Sequence, residues 1–196
     1  MSNDIKTITV YAASSSQIDP IYNDAASKLG NLLAKHQITC VNGAGRKGLM
    51  GLLSEAALSN GGKVCGVIPR FMVEEGWGND ALTEMIVTET MHERKETMAR
   101  MSDACIALPG GVGTIEELME IITWKQLGLY TGTIVILNIN DYYRHLLSML
   151  EKAATEHFIH HKHTAIWEVA ETPEEALSVI FKQPRWISNP RSFAAL

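Results

Sequence analysis

Two stretches of this chain gather the residue types that act on an anionic small molecule. The first is PGGVGTIEEL, residues 109–118, in which Gly110, Gly111 and Gly113 crowd between Pro109 and the adjacent acids Glu116 and Glu117. Glycine permits positive φ and close backbone approach, and a helix starting there presents free amides at its positive dipole end. That combination makes a phosphate cradle. It lacks the lysine of a Walker A loop and the longer glycine spacing of the dinucleotide fingerprint. The second stretch is MHERKETMAR, residues 91–100, which sets Met91, His92, Arg94, Lys95 and Arg100 about one helix beginning. Cations at that end oppose the macrodipole, so they form either a solvated charged face or the seat of an anion.

Two readings stand for Glu117. The spacing T-x-x-E before an apolar run fits a capping box, with Thr114 as N-cap and Glu117 folded back onto the cap amide. Alternatively, a phosphate occupies the helix start and Glu117 reaches past it, toward the ribose of a mononucleotide. In that position the dipole and neighbouring cations are expected to depress its pKa and keep it ionised.

Lesser candidates surround these two. NGAGRKGLMG (42–51) offers Gly43 in a turn with Arg46 and Lys47, either a second phosphate or ribose contact or a turn whose cations face water. Ser14, first of three serines, supplies a hydroxyl and an amide after the first apolar run. Met50, Met98 and Met101 read as core or pocket lining. In HFIHHKH (157–163), His157, His160 and His161 are spaced to share a helical face, but no carboxylate or cysteine stands at ligand spacing beside them. The stretch reads as a surface helix end, with no metal and no cofactor.

The elements that must position these groups alternate along the chain. Short apolar runs at 8–13, 38–43, 63–68, 84–89, 104–109 and 133–138 fit strands buried on both faces, and amphipathic stretches at 22–36, 49–60, 89–101 and 143–158 fit helices between them. The pattern predicts a doubly wound, Rossmann-like α/β fold with a parallel sheet. In such sheets ligands bind outside the carboxyl ends of the strands, so both glycine turns and Ser14 can face one crevice. A single domain is expected over residues 1–181, followed by a tail at 182–196 that contains Pro184 and Pro190 and packs irregularly or frays.

Bulk properties agree. The 196 residues suffice for one core, and a net charge of -5 argues against a nucleic-acid partner. Cys40, Cys65 and Cys105 lie in or beside apolar runs and read as buried thiols of a reducing compartment. No segment has the ~20 apolar residues of a membrane span. A soluble cytoplasmic protein is expected.

With both clusters in view, the chain resembles the LONELY GUY (LOG) family, cytokinin-activating phosphoribohydrolases often mislabelled lysine decarboxylases. The likeness rests on PGGVGTIEE (109–117) and MHERK (91–95) and extends to KGLMG (47–51), GGKVCGVIP (61–69) and TWKQLGLY (123–130). Two departures are AASSS (12–16), where the family commonly has cysteine-glycine-serine, and NGAG (42–45), where it has a triple glycine. The resemblance implies hydrolysis of the N-glycosidic bond of AMP or an N6-modified AMP to free base and ribose 5-phosphate. It casts Glu117 and Arg94 as catalytic, with Gly110, Gly111, Gly113 and Thr114 on the phosphate and Lys95 and His92 as polar contacts. Glu116 either assists at the ribose or faces solvent. A homodimer with Trp124, Leu127 and Tyr130 near the subunit contact is implied too. A general nucleotide nucleosidase and a non-catalytic nucleotide or cofactor carrier remain as alternatives.

Overall fold

The computed structural model describes residues 5–182. Seven strands form one parallel sheet: β1 (Thr7–Tyr11), β2 (Thr39–Asn42), β3 (Val64–Pro69), β4 (Glu84–Thr88), β5 (Ala104–Ala107), β6 (Thr133–Leu137) and β7 (Trp167–Ala170). The helices are α1 (Pro20–Lys35), α2 (Gly48–Ser59), the short α3 (Arg70–Glu74), α4 (Met91–Arg100), α5 (Val112–Gln126), α6 (Arg144–Thr155) and α7 (Pro173–Lys182). The six expected strands are present. A seventh strand and α7 join them near the end of the described chain, and the tail from residue 183 on lies outside the described residues.

Strand order is β4-β3-β2-β1-β5-β6-β7. The chain runs outward from β1 to β4, then returns to place β5 on the other side of β1, with Ile8 opposite Ala104 and Tyr11 opposite Ala107. Connections leave β1 and β5 in opposite directions, which opens a crevice at their carboxyl ends. The turns carrying Ser14 and Gly110 flank this gap.

Side chains alternate between the two faces of the central strands. Ile8 and Val10 pack with Leu29 and Leu33 of α1, Leu53 of α2 and Ile180 of α7, whereas Tyr11 and Val41 pack with Met98 of α4 and Leu118 and Ile121 of α5. The result is a three-layer sandwich in which α4 and α5 share one side. Among the described residues no helix is long and apolar enough to cross a membrane.

The same packing buries a lysine. Lys125, on the sheet side of α5, is only 5% exposed. Burial pulls its pKa down to about 8, against the opposing influence of Cys105 and Glu168. Between that value and the ordinary lysine range the unfolded chain holds a proton that the folded chain does not, so stability rises with pH across this window. Below it the full penalty applies, up to about 3 kcal/mol. Lys125→Met should therefore raise the melting temperature at pH 7, and the gain should shrink as pH approaches 10. An equal gain at both pH values would contradict this account.

Candidate active site

Arg94 and Glu117 meet above the carboxyl ends of the central strands. Arg94 comes from the first turn of α4 and Glu117 from the second turn of α5; Arg94 Nη1 donates to Glu117 Oε1 at 2.8 Å. The residues are 7% and 9% exposed, so the charges are held almost out of water. Arg94 Nε donates to the carbonyl of Val67 in β3 at 3.0 Å. Its Nη2 lies where a Cβ on Gly43 would stand, so the guanidinium can occupy this place only because the residue after β2 has no side chain.

A second cation repeats the arrangement. Lys95, 8% exposed, donates to Glu116 and, at 3.1 Å, reaches Glu120 Oε1. Burial disfavours its charge, but these two hydrogen bonds outweigh that effect and hold its pKa above the ordinary lysine value. Glu116, its side chain half exposed, is held by Lys95. It ties α5 to α4.

Of the two readings of Thr114 and Glu117, the capping box does not form. Helix α5 starts at Val112 with Gly111 as its N-cap, and Ile115 donates to the Gly111 carbonyl at 3.0 Å. Thr114 lies inside the first turn, its side chain filling the space beside Gly110 where a Cβ would stand. No side chain caps α5, and Gly111, Val112 and Gly113 are exposed. Capping of this type belongs to α4 instead: the Thr90 hydroxyl accepts from the Glu93 amide at 3.1 Å, and Glu93 accepts from the Glu89 amide at 2.8 Å. That box and the carboxylates of α5 compensate the cations that looked misplaced at the start of α4.

The expected pKa direction of Glu117 is also overturned. Burial raises it above the usual glutamate value, with Arg94 pulling the other way by charge and hydrogen bond. Glu117 sits more than a turn inside its helix and deep in the protein, so loss of water outweighs the dipole.

Other candidates fall at the rim or in the frame. His92 is exposed on the outer side of α4 and Met91 is half-buried beside it. Ser14 is exposed in the turn after β1, which lies on the start of α2: a Cβ on Gly48 would meet the Ser15 carbonyl oxygen at 2.5 Å. Pro109 and Gly110 are buried under the turn between β5 and α5. Arg46 donates through Nε to the Gly78 carbonyl at 2.9 Å, while Lys47 is the exposed N-cap of α2. Tyr130 belongs to the core, its hydroxyl accepting from the Cys105 thiol at 3.2 Å, so it is no surface contact. The histidines share no helical face, because α6 ends at Thr155. Among the described residues no cluster could hold a metal ion.

Two tyrosines went unnoticed in the sequence. Tyr142 donates to the carbonyl of Gly110 and Tyr143 to that of Leu108, each at 2.7 Å, and both precede α6. Only their hydroxyls, placed after an apolar run, signalled a polar role.

Comparison with known proteins places this geometry in a family. Residues 50–180 match the family model described as "Possible lysine decarboxylase". The chain is 46% identical over 154 residues to a cytokinin riboside 5′-monophosphate phosphoribohydrolase of Arabidopsis thaliana, covering 79% of this chain and 71% of that protein. The chain belongs to the LOG family. A LOG-family protein of the same name from Rhodococcoides fascians is 46% identical over 155 residues, covering 79% of this chain and 78% of its own. Among solved structures, a molybdenum cofactor carrier protein from Chlamydomonas reinhardtii superposes with a TM-score of 0.70 at 20% identity, covering 90% of this chain and 96% of that chain. At that identity the likeness speaks for the fold the LOG chain adopts.

The place of Gly43 yields a test. Gly43→Ala should push the Arg94 guanidinium off its seat and lower kcat/KM by about 10²-fold, as misplacement of a site group by about an ångström does. Kinetics unchanged from the parent chain would show that Arg94 has another way to sit.

Proposed function

We propose that this chain hydrolyses the N-glycosidic bond of adenosine 5′-monophosphate or its N6-substituted forms, giving free base and ribose 5-phosphate. The buried Arg94–Glu117 pair, 2.8 Å long and set behind the uncapped start of α5, carries the reading. Relatives at 46% identity bear the name of this activity.

The 5′-phosphate rests on Gly110, Gly111, Gly113 and Thr114, where the first amides of α5 and its dipole favour an anion. Glu117 lies five residues beyond Val112, about 7.5 Å along the helix axis, which leaves room for the sugar between phosphate and carboxylate. Bond cleavage builds positive charge on the ribose ring, and a fixed carboxylate there stabilises the transition state more than the ground state. Arg94 holds Glu117 in place and keeps it from protonating as freely as burial alone would allow. A guanidinium is a poor proton donor, so its role is orientation and contact rather than acid catalysis. Met91, His92 and Ser14 line the rim where the base leaves.

Two copies complete the protein in this reading. Leu127 and Leu129, 44% and 63% exposed beyond the end of α5, with half-buried Trp124 supply an apolar surface for a homodimer. The three buried free cysteines support a cytoplasmic setting.

The deciding experiment is release of free base from a panel of AMP, GMP, CMP and isopentenyladenosine monophosphate. Adenine nucleotides should be preferred; equal rates on all four would make the chain a general nucleosidase, and no ribose 5-phosphate from any would leave a carrier. Glu117→Gln should lower kcat by about 10²–10³-fold while nucleotide still binds. Retained turnover would remove Glu117 from the chemistry. Because the reaction needs the carboxylate, activity should fall as pH drops through a pKa above the ordinary glutamate range. An acid limb within the ordinary range would contradict the burial of this group.

A further inference from the structure

The turn from β5 into α5 is gripped from below by the segment that follows β6. Leu108 and Gly110, on either side of Pro109, each give their carbonyl oxygen to a tyrosine hydroxyl, Tyr143 and Tyr142 respectively, at 2.7 Å. Pro109 has no amide to anchor the turn. The first residue of the turn is fixed on its other side, where Leu108 donates to the Tyr11 carbonyl of β1 at 2.9 Å.

The tyrosines are themselves held. Tyr143 is 1% exposed, and its amide donates to Asn138 Oδ1 at 2.7 Å. Asn138 donates from its own amide to the Ala170 carbonyl at the end of β7, at 2.7 Å. Between them, Asn140 and Asp141 have φ of 50° and 57°, a left-handed pair that their short polar side chains tolerate better than most residues. The ring of Tyr142 stands edge-on between Tyr143 and Tyr22 of α1, at centroid distances of 5.0 and 5.8 Å. This much local strain and packing goes into presenting two hydroxyls. Strained backbone held by its surroundings gathers where geometry matters.

We propose that Tyr142 and Tyr143 are positioning residues for the anion cradle: by holding the carbonyls of Leu108 and Gly110 they set where the amides of the following glycines meet a phosphate. The inference rests on the proposed phosphate seat at Gly110 to Thr114, and it concerns binding of the phosphate rather than cleavage of the glycosidic bond. Neither hydroxyl reaches the Arg94–Glu117 pair.

The test compares the parent chain with Tyr142→Phe, Tyr143→Phe and the double variant. Calorimetry with inorganic phosphate and with ribose 5-phosphate reads the cradle directly, whatever base the protein prefers. Each lost hydroxyl should weaken both ligands about fivefold, the worth of one ordinary hydrogen bond. KM for the nucleotide should rise by the same factor while kcat stays within about twofold, because binding common to ground and transition states is what has been lost. Unchanged affinity for both ligands would overturn the proposal, as would a lowered melting temperature with KM and affinity unmoved. The ring of Tyr142 is 42% exposed, so that single variant decides the matter if loss of the Tyr143 hydroxyl prevents folding. Absence of turnover in the parent chain would sink the proposed reaction and leave this test intact; absence of phosphate binding in the parent chain would sink the cradle.

Discussion

The buried ion pair between Arg94 and Glu117 is the interaction on which the rest of the site depends. Taking two charges out of water costs several kcal/mol for each, and the attraction between them offsets this only when the geometry is good and the remaining hydrogen-bonding capacity is used. Here the guanidinium is matched to Glu117 on one edge, to the Val67 carbonyl on another, and to the missing side chain of Gly43 on a third. Those three partners come from α5, β3 and the end of β2. The pair therefore requires the sheet order, the crossover of α4 and the start of α5 all at once. Beside it, Lys95 draws in Glu116 and Glu120, so two cations and three carboxylates fasten α4 to α5.

Much of this was legible in the residue pattern. Period and apolar runs placed six of seven strands, because strands covered by helices on both faces read as unbroken hydrophobic segments. The seventh escaped because its run is short and broken by Glu168: WEVA lacks the continuous apolar stretch that marks β4, the other edge strand and no better buried. Arg94 and Glu117 were both singled out, and the fold brings them together across 23 positions of sequence. The capping signal was the misleading one. T-x-x-E occurs at 90–93, 114–117 and 172–175, and at α4 and α7 the threonine and glutamate do cap their helices. At α5 the N-cap is Gly111, three residues before Thr114, since glycine can serve as N-cap without a side chain to bond the amides. What separates the cases is the preceding backbone, which spacing alone does not encode.

The parts that sequence reading missed share a cause. A glycine whose task is to make room for a guanidinium, and tyrosines whose task is to hold two carbonyls, act through contacts made only after distant segments meet. Gly43 stands in a turn that the sequence offers as a ligand contact or as a plain turn, and only the fold shows that its neighbour is Arg94. Tyr142 and Tyr143 follow a strand with no local mark of the loop they support, 32 and 35 residues before them. Thus the chemistry was visible as residue types, whereas the frame around it was visible only as geometry.

The insertion of β5 between β1 and β6 has a kinetic meaning. β1 and β5 pair residues 8 to 11 with residues 104 to 107, so closing this register brings together parts of the chain separated by half its length. Pairings of that span are slow to form, because loop-closure entropy is lost before the contacts compensate it. The β1–β2–β3 half can gather locally, yet Glu117 reaches Arg94 only once β5 has docked and α5 has followed it onto the sheet. Seating of the ion pair against β2 and β3 is thus expected to follow that docking. Recovery of function after denaturation becomes a clock for the docking of this central strand.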